Sequence, residues 1–155
     1  MRDPVALHRD FEDLLVALAD AGAEFLIVGA YAMALHGVPR ATGDLDVLVR
    51  PERGNAARVW SALEKFGAPL EGTGLRLEDL ATPGTIYQMG LPPRRIDLIT
   101  DITGVPFERA WSTREEVEIG RRIIGFIGRD ALVENKRATG RPKDIADLAV
   151  LEKKR

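Results

Sequence analysis

The sequence contains no cysteine among its 155 residues, which excludes disulfide bonds and thiolate metal sites. It also lacks a run of about 18 apolar residues, the length that a membrane-spanning helix requires. Acidic residues come early in the chain, unlike the basic-then-apolar pattern of a secretion signal. A formal net charge of −2 argues against a surface that coats DNA non-specifically. We therefore expect a cytoplasmic protein without membrane contact.

The composition predicts a single domain over residues 1–155. Hydrophobic residues make up 45% of the chain and charged residues 30%, as is typical of a globular protein that buries its own core. The sequence shows no internal repeat, low-complexity tract or linker that would divide it.

Apolar spacing and turn residues predict an α/β (α+β) fold, with a mixed sheet flanked by helices. A first helix is expected from Pro4, capped by Asp3 and ending at Gly22. Further helices are predicted at 30–36, 52–66, 77–81, 129–138 and 142–153. Strands are predicted at 25–28, 44–50, 85–89, 95–100, 116–119 and 122–127.

Two aspartates, Asp44 and Asp46, stand two residues apart on the second predicted strand. Alternation along a strand puts both on one face, while Leu45, Val47 and Val49 share the other. Two strand steps separate the aspartate backbones by roughly 6.6 Å, so their carboxylates can converge on one cation. Because Mg²⁺ is usually held by one or two carboxylates and substrate phosphates, the pair indicates a phosphate-handling site.

The first predicted strand runs into a helix through Gly29. Free N–H groups and the positive end of a helix dipole favour an anion at such a junction, and glycine lets a phosphate approach the backbone. Strand–glycine–helix joints are also common packing devices. Both explanations are open from the sequence.

A third aspartate, Asp97, lies among apolar residues of a later predicted strand. A carboxylate is seldom tolerated there without a partner. It could face water on an edge strand, form a salt bridge with Arg94 or Arg95, or join the aspartate pair.

Taken together, the glycine turn, the Asp44-Leu45-Asp46 strand and the later Asp97 resemble the nucleotidyltransferase superfamily, which has the DNA polymerase β-like fold. The resemblance extends to small prokaryotic members of the AbiE-type toxin branch, in which an Arg and a Thr precede the aspartates. Arg40 and Thr42 stand at those positions. A Lys followed by Lys-Asp-x-x-Asp-Leu on consecutive C-terminal helices is also similar, and here runs from Lys136 to Leu148.

The resemblance implies a Mg²⁺-dependent transfer of a nucleoside monophosphate from an NTP, such as ATP, to a hydroxyl. Two Mg²⁺ ions, or Mn²⁺, would be held by three carboxylates, and the triphosphate would lie on the glycine turn beside cationic helpers. The implied metal and catalytic residues are Asp44, Asp46 and Asp97, the phosphate-binding residues are Gly29, Ala30, Arg40 and Lys136, and the supporting residue is Asp144.

The resemblance leaves several acceptors open: a protein side chain, a tRNA end or a small molecule. The toxin-like branch implies a toxin–antitoxin or phage-defence role, with an antitoxin as a partner. Antibiotic adenylation is less favoured, because nothing in the sequence resembles a dedicated drug-binding domain. On the last helices, Lys143, Asp147 and Arg137 are predicted to lie on a solvated face or to form intrahelical pairs.

A second function class is also open. Ala30 stands where the family usually has Gly or Ser, so a hydroxyl that would reach the terminal phosphates is missing. The alternative is therefore a catalytically weak or inactive module that keeps the fold and binds a nucleotide or a partner.

Overall fold

The computed structural model describes residues 7–39, 43–91 and 94–153. Within those residues the chain forms seven helices and six strands. In chain order they are α1 (Arg9–Asp20), β1 (Phe25–Val28), α2 (Gly29–Leu35), β2 (Leu45–Val49), α3 (Arg53–Phe66), α4 (Leu77–Leu80), β3 (Ile86–Met89), β4 (Ile96–Ile99), α5 (Phe107–Ser112), β5 (Glu115–Ile119), β6 (Arg122–Phe126), α6 (Arg129–Thr139) and α7 (Pro142–Lys153).

The six strands form one mixed sheet in the order β3-β4-β2-β1-β6-β5. At its centre, β1 runs antiparallel to β2 and parallel to β6, while β2 runs parallel to β4. The outer strands β3 and β5 pair antiparallel with β4 and β6. This arrangement confirms the predicted mixed sheet and the α+β class.

The core lies against the apolar face of β2. Leu45, Val47 and Val49 are completely buried, as the alternation of that strand predicts. Helices α1 and α3 pack against each other and contact β6 and β2. Their buried residues follow helical spacing: Phe11, Leu14, Leu15 and Leu18 on α1, and Ala56, Val59, Ala62 and Leu63 on α3. Within the described residues, no helix has the length and apolar character needed to cross a membrane.

A buried amide ties together the ends of β1 and β2. Asn55 on α3 is fully buried, and its Oδ1 accepts a hydrogen bond from the Glu24 backbone N–H at 2.7 Å. Its Nδ2 donates to the carbonyls of Glu24 and Arg50, both at 3.0 Å. Because all these groups are satisfied, Asn55 stabilises the β1–β2 register, and the position of Asp46 relative to Gly29 depends on that register.

One predicted helix start was wrong, and one helix was not predicted. The helix predicted from Pro4 begins only at Arg9, because His8 is extended and its Nδ1 accepts a hydrogen bond from the Asp10 N–H at 3.1 Å. Residues Asp3 and Pro4 lie outside the described residues. Helix α5 was not predicted, since its six residues are too few to show helical periodicity. The bounds of the other predicted elements agree with the structure to within one residue.

Candidate active site

The pairing of β2 with β4 places two of the predicted carboxylates side by side. The strands are parallel, and Asp46 is the direct partner of Asp97 across them. Paired residues project to the same face of a sheet, and Asp44, two residues before Asp46, shares that face. The structure therefore brings all three predicted aspartates together on the face opposite the core. We refer to Asp44, Asp46 and Asp97 as the aspartate trio.

Asp97 does not face water on an edge strand, because β4 lies between β3 and β2. Its side chain is only 13% exposed and forms a salt bridge with Arg95, the second of the sequence-based alternatives. Arg95 donates from Nε to Oδ1 at 2.9 Å and from Nη2 to Oδ2 at 3.3 Å. The same Nη2 lies 3.2 Å from Oδ2 of Asp44, so one guanidinium joins two members of the trio.

Gly29 is required beside the trio for two physical reasons. Its φ of +71° lies in the left-handed region that side chains disfavour. A Cβ built on Gly29 would also lie 2.1 Å from Oδ2 and 2.9 Å from Cγ of Asp46. The glycine thus makes room for a carboxylate of this protein, an explanation that the sequence does not suggest.

The expected role of the glycine turn in phosphate binding stays a prediction. Helix α2, which begins at Gly29, is only seven residues long, so its dipole offers less support than a full helix. Ala30 follows in the first turn and is half-buried.

The trio generates a strong negative potential. Burial is the largest cause that raises the pKa of Asp46, and the charges of Asp97 and Asp44 raise it further, to about 6. The positive charges of Arg95 and Lys143 act in the opposite direction. A cation beside Asp46 would therefore favour its ionised form.

The chemistry of these residues fits a hard divalent cation. Carboxylate oxygens are preferred ligands of Mg²⁺ and Mn²⁺, and the absence of a Cβ on Gly29 leaves room for the Asp46 carboxylate. Within the described ranges, no three His, Cys, Asp or Glu side chains already stand in metal-binding geometry. Arg95 engages both Asp44 and Asp97 directly.

A second charged cluster joins α6 to α7. Lys136 is 12% exposed, and its Nζ lies 3.3 Å from Oδ1 of Asp144 and 3.0 Å from Oδ2 of Asp147. The structure therefore places Asp144 beside Lys136, and its role as a supporting residue stays a prediction. Asp147 was predicted to lie on a solvated face or to form an intrahelical pair, and both alternatives were wrong: it is 3% exposed and is paired with Lys136 of α6.

Asp144 is the centre of that cluster. It is fully buried, its Oδ2 accepts hydrogen bonds from the Thr139 hydroxyl at 2.6 Å and from Nε of Arg141 at 2.7 Å, and its Oδ1 faces Lys136. The hydrogen bond from Arg141 is the largest of the causes that hold the pKa of Asp144 well below its usual range. The carboxylate is therefore ionised and fixes both cations.

One cavity is lined both by Asp46 of the trio and by residues of this cluster. It has a volume of about 430 Å³, within the range of small-molecule sites. Gly29 and Asp46 are among the residues that line it, together with Lys136, Thr139 and Arg141. Apolar residues also line it, namely Val28, Ile86, Ile99, Ile102 and Leu132.

Sequence reasoning missed two cations of this region. Arg95 was considered only as a partner for Asp97, and Arg141 was not considered as a site residue. The alternation of β4 places Arg95 on the face of Asp97, which is a usable signal. Arg141 stands in the turn before α7 and gave no such signal. Arg40, a predicted phosphate-binding residue, lies outside the described residues.

Comparisons with known proteins bear on the fold. No protein-family model matches the sequence, and no curated protein matches it significantly. Among solved structures, the chain is similar to the candidate nucleotidyltransferase TM1012 from Thermotoga maritima, with 14% identity, a TM-score of 0.57 and coverage of 97% of this chain and 98% of that one. The chain has the nucleotidyltransferase fold.

Two antibiotic-modifying proteins share this nucleotidyltransferase fold. The lincosamide antibiotic adenylyltransferase LnuA, bound to lincomycin, has a TM-score of 0.59 at 11% identity, covering 99% of this chain and 100% of that one. ANT(2″)-Ia in complex with adenylyl-2″-tobramycin has a TM-score of 0.57 at 15% identity, covering 91% and 84%. Identities this low leave the substrate to be argued from the site, and membership of the AbiE-type branch stays a prediction.

Proposed function

We propose that this protein transfers a nucleoside monophosphate from an NTP to a hydroxyl acceptor in a reaction that depends on Mg²⁺. The single observation that carries the proposal is the aspartate trio on one sheet face, with Asp46 lining a cavity that Lys136 and Arg141 also line. Three carboxylates suit a divalent cation, and two cations that line the same cavity suit a triphosphate.

Each residue of the site has a distinct part in the proposed reaction. Asp44, Asp46 and Asp97 would hold Mg²⁺, which when bound supplies neutralisation of phosphate charge and a lower pKa for the acceptor hydroxyl. Lys136 and Arg141 would bind the triphosphate, and Asp144 would keep both in place. Catalysis would then come mainly from positioning and charge stabilisation.

In the proposed transfer, one bond at the α-phosphorus forms and another breaks. The acceptor oxygen forms a bond to the α-phosphorus, the bond from that phosphorus to the β-phosphate oxygen breaks, and pyrophosphate leaves. The acceptor proton is taken up by a carboxylate of the trio. No oxidation or reduction takes place.

A small hydroxylated molecule is the acceptor class that has most support. LnuA is bound to lincomycin, and the present chain covers the full length of that protein. A separate drug-binding domain is therefore not needed, which removes the reason for disfavouring antibiotic adenylation. A tRNA or protein acceptor, and with it the toxin–antitoxin role, is the alternative acceptor class for the same reaction.

Label transfer tests the proposal. The protein would be incubated with each α-³²P-labelled NTP, Mg²⁺ or Mn²⁺, and one of three acceptor pools: hydroxylated antibiotics, tRNA or cell-extract proteins. We expect label to appear in one pool, with release of pyrophosphate. The Asp44→Asn variant should abolish transfer, whereas Glu118→Gln, which changes an exposed carboxylate on the far edge strand β5, should leave it intact.

Two results would contradict the proposal. Transfer that survives Asp44→Asn would remove the trio from the reaction. Nucleotide binding without transfer to any pool would favour the binding-module alternative, which Ala30 supports.

A further inference from the structure

Arg95 holds a distinctive position among the aspartates. It immediately precedes β4 and stands two residues before Asp97, so its side chain rises on the same sheet face. Its guanidinium contacts both oxygens of Asp97, and its Nη2 lies 3.2 Å from Asp44. Arginine is suited to this bidentate contact because its donors form a rigid planar fork.

These contacts occupy the oxygens that a divalent cation would need. Asp97 is largely buried and offers both oxygens to Arg95, at 2.9 and 3.3 Å. A cation that took an oxygen of Asp97 would meet the guanidinium at short range and be repelled by it. Cation binding and the Arg95 contacts therefore compete for the same carboxylate.

The charges of the site favour the divalent cation in this competition. The trio has three carboxylates and Arg95 supplies one guanidinium to them, so a further positive charge is needed to balance the trio. The guanidinium alone cannot offset the trio. A third of the Arg95 side chain is exposed, at 32%, so the side chain has a route toward solvent.

We infer that Arg95 is an internal counter-cation that holds Asp44 and Asp97 together in the metal-free protein and releases Asp97 when a divalent cation binds. Arg95 is a positioning residue in this account, and the inference rests on the proposed function. It goes further by assigning a residue that sets the metal affinity of the site. A residue of this kind lowers metal affinity while it stabilises the metal-free fold.

The test measures binding of Mn²⁺ alone, without nucleotide, from the electron paramagnetic resonance signal of the free ion. Arg95→Gln should bind Mn²⁺ about three- to tenfold more tightly than the wild type, because a partly exposed ion pair no longer competes. Arg94→Gln is the matched control, since it removes the same charge from the neighbouring exposed residue. Its affinity should change less than about twofold, because exposed charges are screened by salt.

Thermal unfolding gives a second readout. In the presence of EDTA, Arg95→Gln should unfold at a lower temperature than Arg94→Gln, because only the former leaves Asp44 and Asp97 without their shared guanidinium. Saturating Mn²⁺ should then raise the unfolding temperature of Arg95→Gln more than that of the wild type. If Arg95→Gln does not fold, Arg95→Lys replaces it, because it keeps the charge but loses the bidentate contact.

The outcomes separate this inference from the proposed function. A wild type that binds Mn²⁺ and transfers nucleotide, together with an Arg95 variant of equal or weaker Mn²⁺ affinity, would overturn the inference alone. A wild type that binds no Mn²⁺, with or without NTP, would overturn both. Tighter binding in the variant, with Arg94→Gln unchanged, would support Arg95 as the counter-cation.

Discussion

Replacing Gly29 with alanine should destabilise the fold and displace the Asp46 carboxylate at the same time. The new Cβ would lie 2.1 Å from Oδ2, 2.9 Å from Cγ and 3.1 Å from Cβ of Asp46. Rotation of the Asp46 side chain about its Cα–Cβ bond moves Oδ2 and Cγ away but leaves the contact with Cβ. The carboxylate must therefore leave its present position, and the proposed metal binding and nucleotide transfer should be lost.

The expected cost to stability has two parts. The left-handed φ of +71° costs alanine about 1–2 kcal/mol. Overlap with a packed neighbour adds about 1–3 kcal/mol. The free energy of unfolding should therefore fall by about 2–5 kcal/mol, measured by urea denaturation of the metal-free protein.

Gly72→Ala is the matched control. Gly72 has a φ of +77°, and no described atom lies within 4 Å of a Cβ built there. This variant should lose only the backbone contribution, about 1–2 kcal/mol. If Gly29→Ala costs no more than Gly72→Ala, the contact with Asp46 is not what requires glycine at position 29.

A double-mutant cycle with Asp46→Ala isolates that contact. Without the Asp46 carboxyl group, Gly29→Ala should cost about 1–3 kcal/mol less than it does in the wild type. Additive costs would refute the argument, since they would mean that the new methyl group and the Asp46 carboxylate do not meet.

Three further predictions concern the charged residues of the site. Asp46→Asn should raise the unfolding temperature of the metal-free protein, because it removes one of three crowded negative charges. The same variant should abolish label transfer. A lower unfolding temperature would contradict the repulsion among the three carboxylates. Asp144→Asn should lower the free energy of unfolding by about 3 kcal/mol at about pH 7, because Lys136 and Arg141 lose a buried partner. Because the pKa of Asp144 is lower in the folded than in the unfolded protein, its carboxylate stabilises the fold above the unfolded pKa, and this stability is lost as the pH falls through the folded pKa. In urea denaturation at about pH 3, the free energies of unfolding of the wild type and Asp144→Asn should therefore differ less than at about pH 7. A difference that does not change with pH would contradict the ion pairing. Arg141→Gln should raise the KM for NTP about tenfold with little change in kcat. Arg137 is an exposed arginine paired with Glu152, so Arg137→Gln should leave both kinetic constants unchanged. Equal effects of the two variants would contradict the proposed role of Arg141.

The sequence predicts the local geometry of β2 well and its pairing less well. Alternation alone places Asp44 and Asp46 opposite Leu45, Val47 and Val49, because the side-chain period of a strand is fixed. The register that sets Asp46 beside Asp97 depends on which strands become neighbours. Only the family resemblance, and no local pattern, indicated that neighbour.

The burial of polar residues could not be predicted from sequence patterns. Asp144 and Asp147 are three residues apart on α7, a spacing equally typical of a solvated helix face. Their burial follows from the packing of α7 against α6, which directs Lys136 toward them. Asn55 is buried for a similar reason, since its partners are the backbone groups of Glu24 and Arg50, at the ends of β1 and β2. Tertiary contacts, and not periodicity, determine these positions.

The central claim is that the aspartate trio binds a divalent cation together with an NTP. A crystal structure with Mn²⁺ and a non-hydrolysable NTP analogue tests it directly, because anomalous scattering locates the ion. We predict an anomalous peak among the carboxylates of Asp44, Asp46 and Asp97, with the triphosphate between the ion and Lys136. An analogue bound elsewhere, with Arg95 still joined to Asp44 and Asp97 and no ion among them, would contradict the claim.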